Sequence, residues 1–97
     1  MNKANDELVD KVYKQVDEAL TWLQMAGKST TEMTEKARLL KHHAKIAWER
    51  YNTFGLNMVA TQASIFHSSA AYEQYDHAQR MKVAAAEQQL MAFFVKQ

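Results

Sequence analysis

The sequence predicts an all-α protein: an antiparallel helical hairpin plus a long third helix, kinked or separate near 52–55, assembling as a helical-bundle oligomer. Three observations carry this. Met33, Ala37, Leu40, Ala44, Ala47, Tyr51 and Phe54 are spaced 4, 3, 4, 3, 4, 3, and a helix with that spacing carries a narrow apolar seam that another helix must cover. The chain has no Pro and only two glycines, Gly27 and Gly55. It is otherwise rich in Ala, Met, Gln, Lys and Glu, all good helix formers. At 97 residues it makes a single all-helical domain with a thin core.

The first helix is expected over about 5–26. Asn5 or Asp6 can cap its start, with Asp6, Glu7 and Asp10 near the positive end of the helix dipole. Its seam is Val9, Val12, Val16, Ala19, Leu23 and Ala26, widened by Leu8, Tyr13, Leu20 and Trp22. Gly27 is placed to end it in a left-handed conformation.

The second helix is expected over about 30–53. Ser29 and Glu32 have the spacing of a capping box, in which each side chain bonds the other's backbone N–H. The connection Gly27-Lys28 is short, and helices joined that tightly lie antiparallel. Charge agrees with this pairing. Residues 1–35 hold four Lys against seven Asp or Glu, net −3, whereas 36–50 hold five Lys or Arg against Glu49, net +4. Exposed pairs between such helices contribute only tenths of a kcal/mol each, so the pattern orients more than it stabilises.

The third helix is expected over about 56–95. Gly55, beside Asn52 and Thr53, weakens the helix there and predicts a kink or short loop. The apolar register continues across it through Tyr51, Phe54, Met58, Ile65 and Tyr72. Small residues abound on this helix: Ala60, Ala63, Ser64, Ser68, Ser69, Ala70 and Ala71, then Ala84, Ala85 and Ala86. Tyr72 and Tyr75 interrupt them as anchors suited to an interface. Leu90, Met91, Phe93, Phe94 and Val95 point in nearly every direction around a helix. One hairpin cannot cover them all, and such a patch marks an association site for a second copy or another protein.

Catalytic patterns are not readable. Glu73 and His77 share a helix face with Asp76 nearby, but a bundle metal site needs ligands converging from several helices. His42 and His43 are adjacent and diverge by about 100°. Ser64, Ser68 and Ser69 lack the strained turn that exposes a nucleophile. Gly27-Lys28-Ser29 lacks the preceding strand and upstream Gly of a phosphate loop. The reading is a protein without catalysis and without a cofactor.

Arg38, Lys41, His42 and Lys45 form one basic stripe at i, i+3, i+4, i+7. With Arg50 they are candidates for binding a small anionic or nucleotide ligand between protomers, with Tyr51, Tyr72 or Tyr75 stacking. The plainer reading is the solvated face of the second helix, matched by the acidic first helix. Net charge of +1 gives no global push toward nucleic acid.

The start, Met1 to Glu7, lacks the apolar core of a cleavable signal, and no stretch reaches the ~20 apolar residues of a membrane span. A cytoplasmic protein is expected, with secretion by a non-cleaved route as the alternative. Tyr72-Glu73-Gln74-Tyr75-Asp76 resembles the C-terminal Tyr-x-x-x-Asp/Glu secretion signal of the WXG100 (ESAT-6-like) proteins, which are all-helical and of about this length. That resemblance implies a secreted helical hairpin. The Trp-x-Gly turn that defines the family is missing: Trp22 precedes Gly27 by five residues, and Trp48 lies mid-helix.

The functional expectation is stoichiometric binding, as an adaptor, inhibitor or assembly component. The anion sensor and the secreted hairpin are the alternatives.

Overall fold

The computed structural model describes residues 2–95. Three helices account for nearly all of them: α1 Lys3–Met25, α2 Thr31–Glu49 and α3 Thr53–Val95. There is no strand among the described residues.

Each helix begins at a capping side chain, though not always the expected one. The Asn2 side chain accepts from the Ala4 N–H at 2.8 Å and opens α1. Asn5 is therefore not the cap. It lies one turn inside the helix, buried, and its Nδ2 donates to Thr53 Oγ1 at 2.9 Å. Thr30, not Ser29, caps α2, accepting from the Met33 N–H at 3.1 Å. The shift by one residue moves Glu32 out of capping-box position. Either hydroxyl could accept this bond; the turn before it decides which one does.

Both interhelical turns use the same device. Lys28 N–H bonds Leu23 O at 2.8 Å and Gly27 N–H bonds Gln24 O at 3.1 Å, with Gly27 at φ 68°. Asn52 N–H bonds Ala47 O at 2.8 Å and Tyr51 N–H bonds Trp48 O at 3.1 Å, with Tyr51 at φ 55°. This is the paired-bond helix stop that normally takes glycine. In the second turn a tyrosine occupies the left-handed position, where a Cβ costs roughly 1–2 kcal/mol.

The junction is thus a true turn at 50–52, and α2 ends four residues earlier than expected. Gly55 is not the breaker. It sits in the first turn of α3, where its N–H bonds the Asn52 Oδ1 cap at 2.9 Å. A Cβ on Gly55 would lie 2.6 Å from Asn52 Nδ2, so glycine there lets the cap close.

A prediction follows from the left-handed pair. Tyr51→Gly raises stability by about 1 kcal/mol, since Tyr51 is exposed and only strain is removed. Gly27→Ala lowers it by about as much. Urea midpoints at unchanged slope measure both.

The side-chain bonds fix the helix directions. Trp48 Nε1 donates to Asp6 Oδ1 at 2.6 Å and Lys41 Nζ to Asp17 Oδ1 at 2.9 Å, so α1 and α2 are antiparallel. Asn5 with Thr53, Gln15 with Ser64 and Glu18 with His67 are separated by 48, 49 and 49 residues, so α1 and α3 run parallel in constant register.

The core lies where all three helices overlap. Val12, Val16, Ala19 and Leu23 from α1 meet Ala37, Ala44 and Ala47 from α2 and Leu56, Ala63, Phe66 and Ala70 from α3. Seven of the twelve buried apolar residues are alanines, which lets the backbones approach closely and leaves little room for larger side chains. The α2 seam holds from Met33 to Ala47 and stops there. Tyr51 and Phe54, expected to continue it, are 67% and 76% exposed because the chain has already turned.

At 43 residues α3 is nearly twice as long as α1, and the molecule extends 70 Å along its long axis. The constant register places Ala26, at the end of the hairpin, level with Tyr75. Beyond that level α3 continues alone.

Candidate association surface

The expected interface residues are all exposed. Tyr72, Tyr75, Leu90, Met91, Phe93, Phe94 and Val95 are between 56% and 84% accessible. Every residue from Gln79 to Val95 is exposed, a bare helical arm about 25 Å long at 1.5 Å per residue. Met81 and Val83 add to its apolar surface. In proteins most helical stability comes from packing of an apolar face. Among the described residues no other element packs on the arm.

A second apolar feature was not anticipated from the sequence. The α2–α3 side of the bundle is open. A cleft of about 400 Å³ is lined by residues including Leu23, Met33, Lys36, Ile65, Phe66 and Ser69. The next, of about 420 Å³, is lined by Leu40, His43, Met58, Val59, Thr61 and Gln62. The two succeed each other along the α2–α3 seam, the first edged by Glu32 and Glu73, and together they mark a shallow groove on that side. Leu40, half-buried and packed against the core, also forms a wall of the second cleft. The spacing held a signal for it: Met58, Gln62, Ile65, Ser69 and Tyr72 alternate 4, 3, 4, 3, a row of its own beside the buried Ala63, Phe66 and Ala70.

The basic stripe is distributed among acidic neighbours. The Arg38 guanidinium bonds both carboxylate oxygens of Glu35, one at 3.0 Å. That hydrogen bond holds the Glu35 carboxyl below its ordinary range and raises Arg38. Lys41 bonds Asp17 and lies 5.2 Å from the Tyr13 ring centroid. Lys45 lines a cleft with Asp6, Asp10, Tyr13 and Trp48. His42 is exposed, its ring 5.8 Å from that of His43, and Arg50 caps the C-terminus of α2. The five residues do not converge on one pocket. Tyr51 and Tyr72 are about 30 Å apart along the chain's long axis at 1.5 Å per residue, so no single protomer brings these tyrosines together with the stripe.

His67 is the histidine drawn into the bundle. Its Nε2 lies 2.7 Å from Glu18 Oε1, and its ring is 4.7 Å from Trp22. It pins α3 to α1. Among the described residues no cluster of His, Asp and Glu is arranged to hold a metal ion. Asp76 bonds Arg80 at 3.1 Å along the helix, with Tyr72 exposed one turn before it. No helix is long and apolar enough, among the described residues, to cross a membrane.

Comparison with known proteins returned no match: no family model, no curated protein and no solved structure is similar to this chain.

Proposed function

We propose that this chain acts stoichiometrically, as a non-enzymatic helical module whose job is to hold other helices: an assembly component, adaptor or inhibitor. The observation that carries this reading is the bare arm of α3. From Gln79 to Val95 it presents Met81, Val83, Leu90, Met91, Phe93, Phe94 and Val95, all exposed among the described residues. Apolar side chains in that number, exposed on one helix, are stabilised by burial against a partner. The arm is continuous with a packed bundle, which gives it a fixed direction and reduces the entropy lost on docking.

Light scattering after gel filtration, over a concentration series, tests this. The wild-type chain is expected to run as a discrete multiple of its own mass. Leu90→Asp is expected to reduce it to single-chain mass with the helical signal of the bundle retained, because Leu90 touches no core residue. An unchanged mass in Leu90→Asp removes the arm as the associating element.

A further inference from the structure

We infer that the bare arm of one copy seats in the α2–α3 groove of a second copy, reciprocally, as an antiparallel pair. This rests on the association reading above and names its partner and geometry.

Length is the first argument. The hairpin keeps α3 partly covered from Thr53 to about Ala78 and leaves it bare from Gln79 to Val95. The bare arm is therefore shorter than the covered stretch and fits within it. Two copies related by a twofold axis beside Asp76 place each bare arm along residues 57–73 of the other, and the two hairpins meet end to end.

Self-filling is excluded by the backbone. Between Leu56 and Val95 there is neither Gly nor Pro, and α3 is one uninterrupted helix. The arm cannot fold back into its own groove without breaking that helix, at a nucleation cost that a short returning segment does not recover.

Side-chain pattern is the second argument. The groove row of α3 extends without a slip through the arm: Met58, Gln62, Ile65, Ser69, Tyr72, Asp76, Gln79, Val83, Ala86, Leu90 and Phe93 alternate 4 and 3 throughout. A left-handed supercoil keeps such a row on one side. Antiparallel pairing about the axis sets Phe93 against Met58, Leu90 against Gln62, Ala86 against Ile65 and Val83 against Ser69. Ala86 meets the bulkier Ile65 and Val83 meets the small Ser69, while Phe93 and Leu90 lie over the longer, flexible Met58 and Gln62. Asp76 faces its own copy at the axis, where its bond to Arg80 offsets the like charges.

Area agrees. Met58, Ile65, Val83, Leu90 and Phe93 are each 56–57% exposed. Doubled by the symmetry, and with roughly 100 Å² open on each, they supply about 1,000 Å² of apolar surface before any polar neighbour is counted. That figure reaches the lower bound of a specific interface. Filled in this way, each bundle gains a fourth helix.

Introduced cysteines test the geometry, since the chain has none of its own. M58C/F93C, treated with a short bismaleimide, is expected to give covalent dimers in high yield. The two positions are about 50 Å apart within one chain at 1.5 Å per residue, so the link is between chains. F93C alone is expected to stay single-chain. Cross-linking of F93C alone to the extent of the double variant means parallel arms and overturns the inference. An oligomer that Leu90→Asp dissolves but that M58C/F93C does not link also overturns it, and leaves the association reading standing. A wild-type chain of single-chain mass, unlinked in both variants, overturns the second copy as occupant and points to a helix of another protein.

Discussion

Val16→Asp abolishes the fold. Val16 is fully buried, in the cluster where the three helices meet, among Val12, Ala19 and the inward alanines of α2 and α3. A carboxylate there meets no cation and no donor, and the alanine-lined packing has no space to admit water. Leaving a charge unpaired in such a place costs several kcal/mol. A chain of this length has a total stability of about 5–15 kcal/mol, and one with a core this thin belongs near the lower end. Far-UV circular dichroism is expected to show loss of the cooperative thermal transition at neutral pH. The pH dependence has a definite sign. Burial raises the introduced carboxyl's pKa above its unfolded value, so the folded state binds the proton more tightly and stability falls as pH rises from the ordinary carboxylate range up through the raised folded value. Part of the helical signal therefore returns under mild acid. A Val16→Asp variant melting at the wild-type temperature at neutral pH sinks the assignment of the inward face of α1.

Leu56→Ala lowers stability by about 2–5 kcal/mol, the cost of deleting a fully buried leucine and leaving a cavity. Leu56 is the first inward residue of α3 and among the largest side chains that are completely buried. Alanines make up much of the buried cluster it belongs to, and an alanine cannot reach in to fill a void. Such a loss corresponds to a fall in melting temperature of about eight degrees or more, at roughly 4–8 °C per kcal/mol for a domain of this size. Leu90→Ala is the contrast. It removes the same atoms from an exposed position, and at concentrations where the chain is single it is expected to leave the melting temperature within about 0.5 kcal/mol-equivalent of wild type. A matched loss in both variants would mean that the arm is packed within its own chain.

Much of the bundle was legible in the 4-3 spacing. Val12, Val16, Ala19 and Leu23 in α1, and Ala37, Ala44 and Ala47 in α2, are buried where the seam put them. Gly27 ends α1 as its conformational freedom suggested. The second turn was not legible, because the residue that takes the left-handed conformation is Tyr51. A tyrosine carries no turn signal and continues the apolar row in register, so the row read through the turn. Gly55 is the nearby residue that carries a turn signal, and its actual use, making room for the Asn52 cap, is a matter of one close contact. Asn5 was misread for a related reason. Asparagine is a good cap, and nothing local distinguishes an asparagine at a helix start from one aimed at Thr53, 48 residues away.

For the candidate surface the balance is similar. The seven arm and tyrosine residues are exposed where the sequence assigned an interface. Their abundance around one helix showed that no single hairpin could hide them. The basic stripe was equally visible, yet Arg38 and Lys41 are engaged by Glu35 and Asp17. A stripe records spacing on one helix, and only the neighbouring helix determines whether it is free. The groove between α2 and α3 escaped notice because its walls, Leu40 and Met58, have the spacing of core residues.

The sequence by itself determined that the chain is helical and which faces of α1 and α2 turn inward. Those properties follow from backbone propensity and from a period that every residue obeys locally. The tertiary structure alone decided the parallel register of α1 and α3, the strained turn at Tyr51, the open α2–α3 groove and the bare second half of α3. Each of these depends on contacts, made or missing, between residues tens of positions apart, and periodicity says that a face must be covered without saying by what.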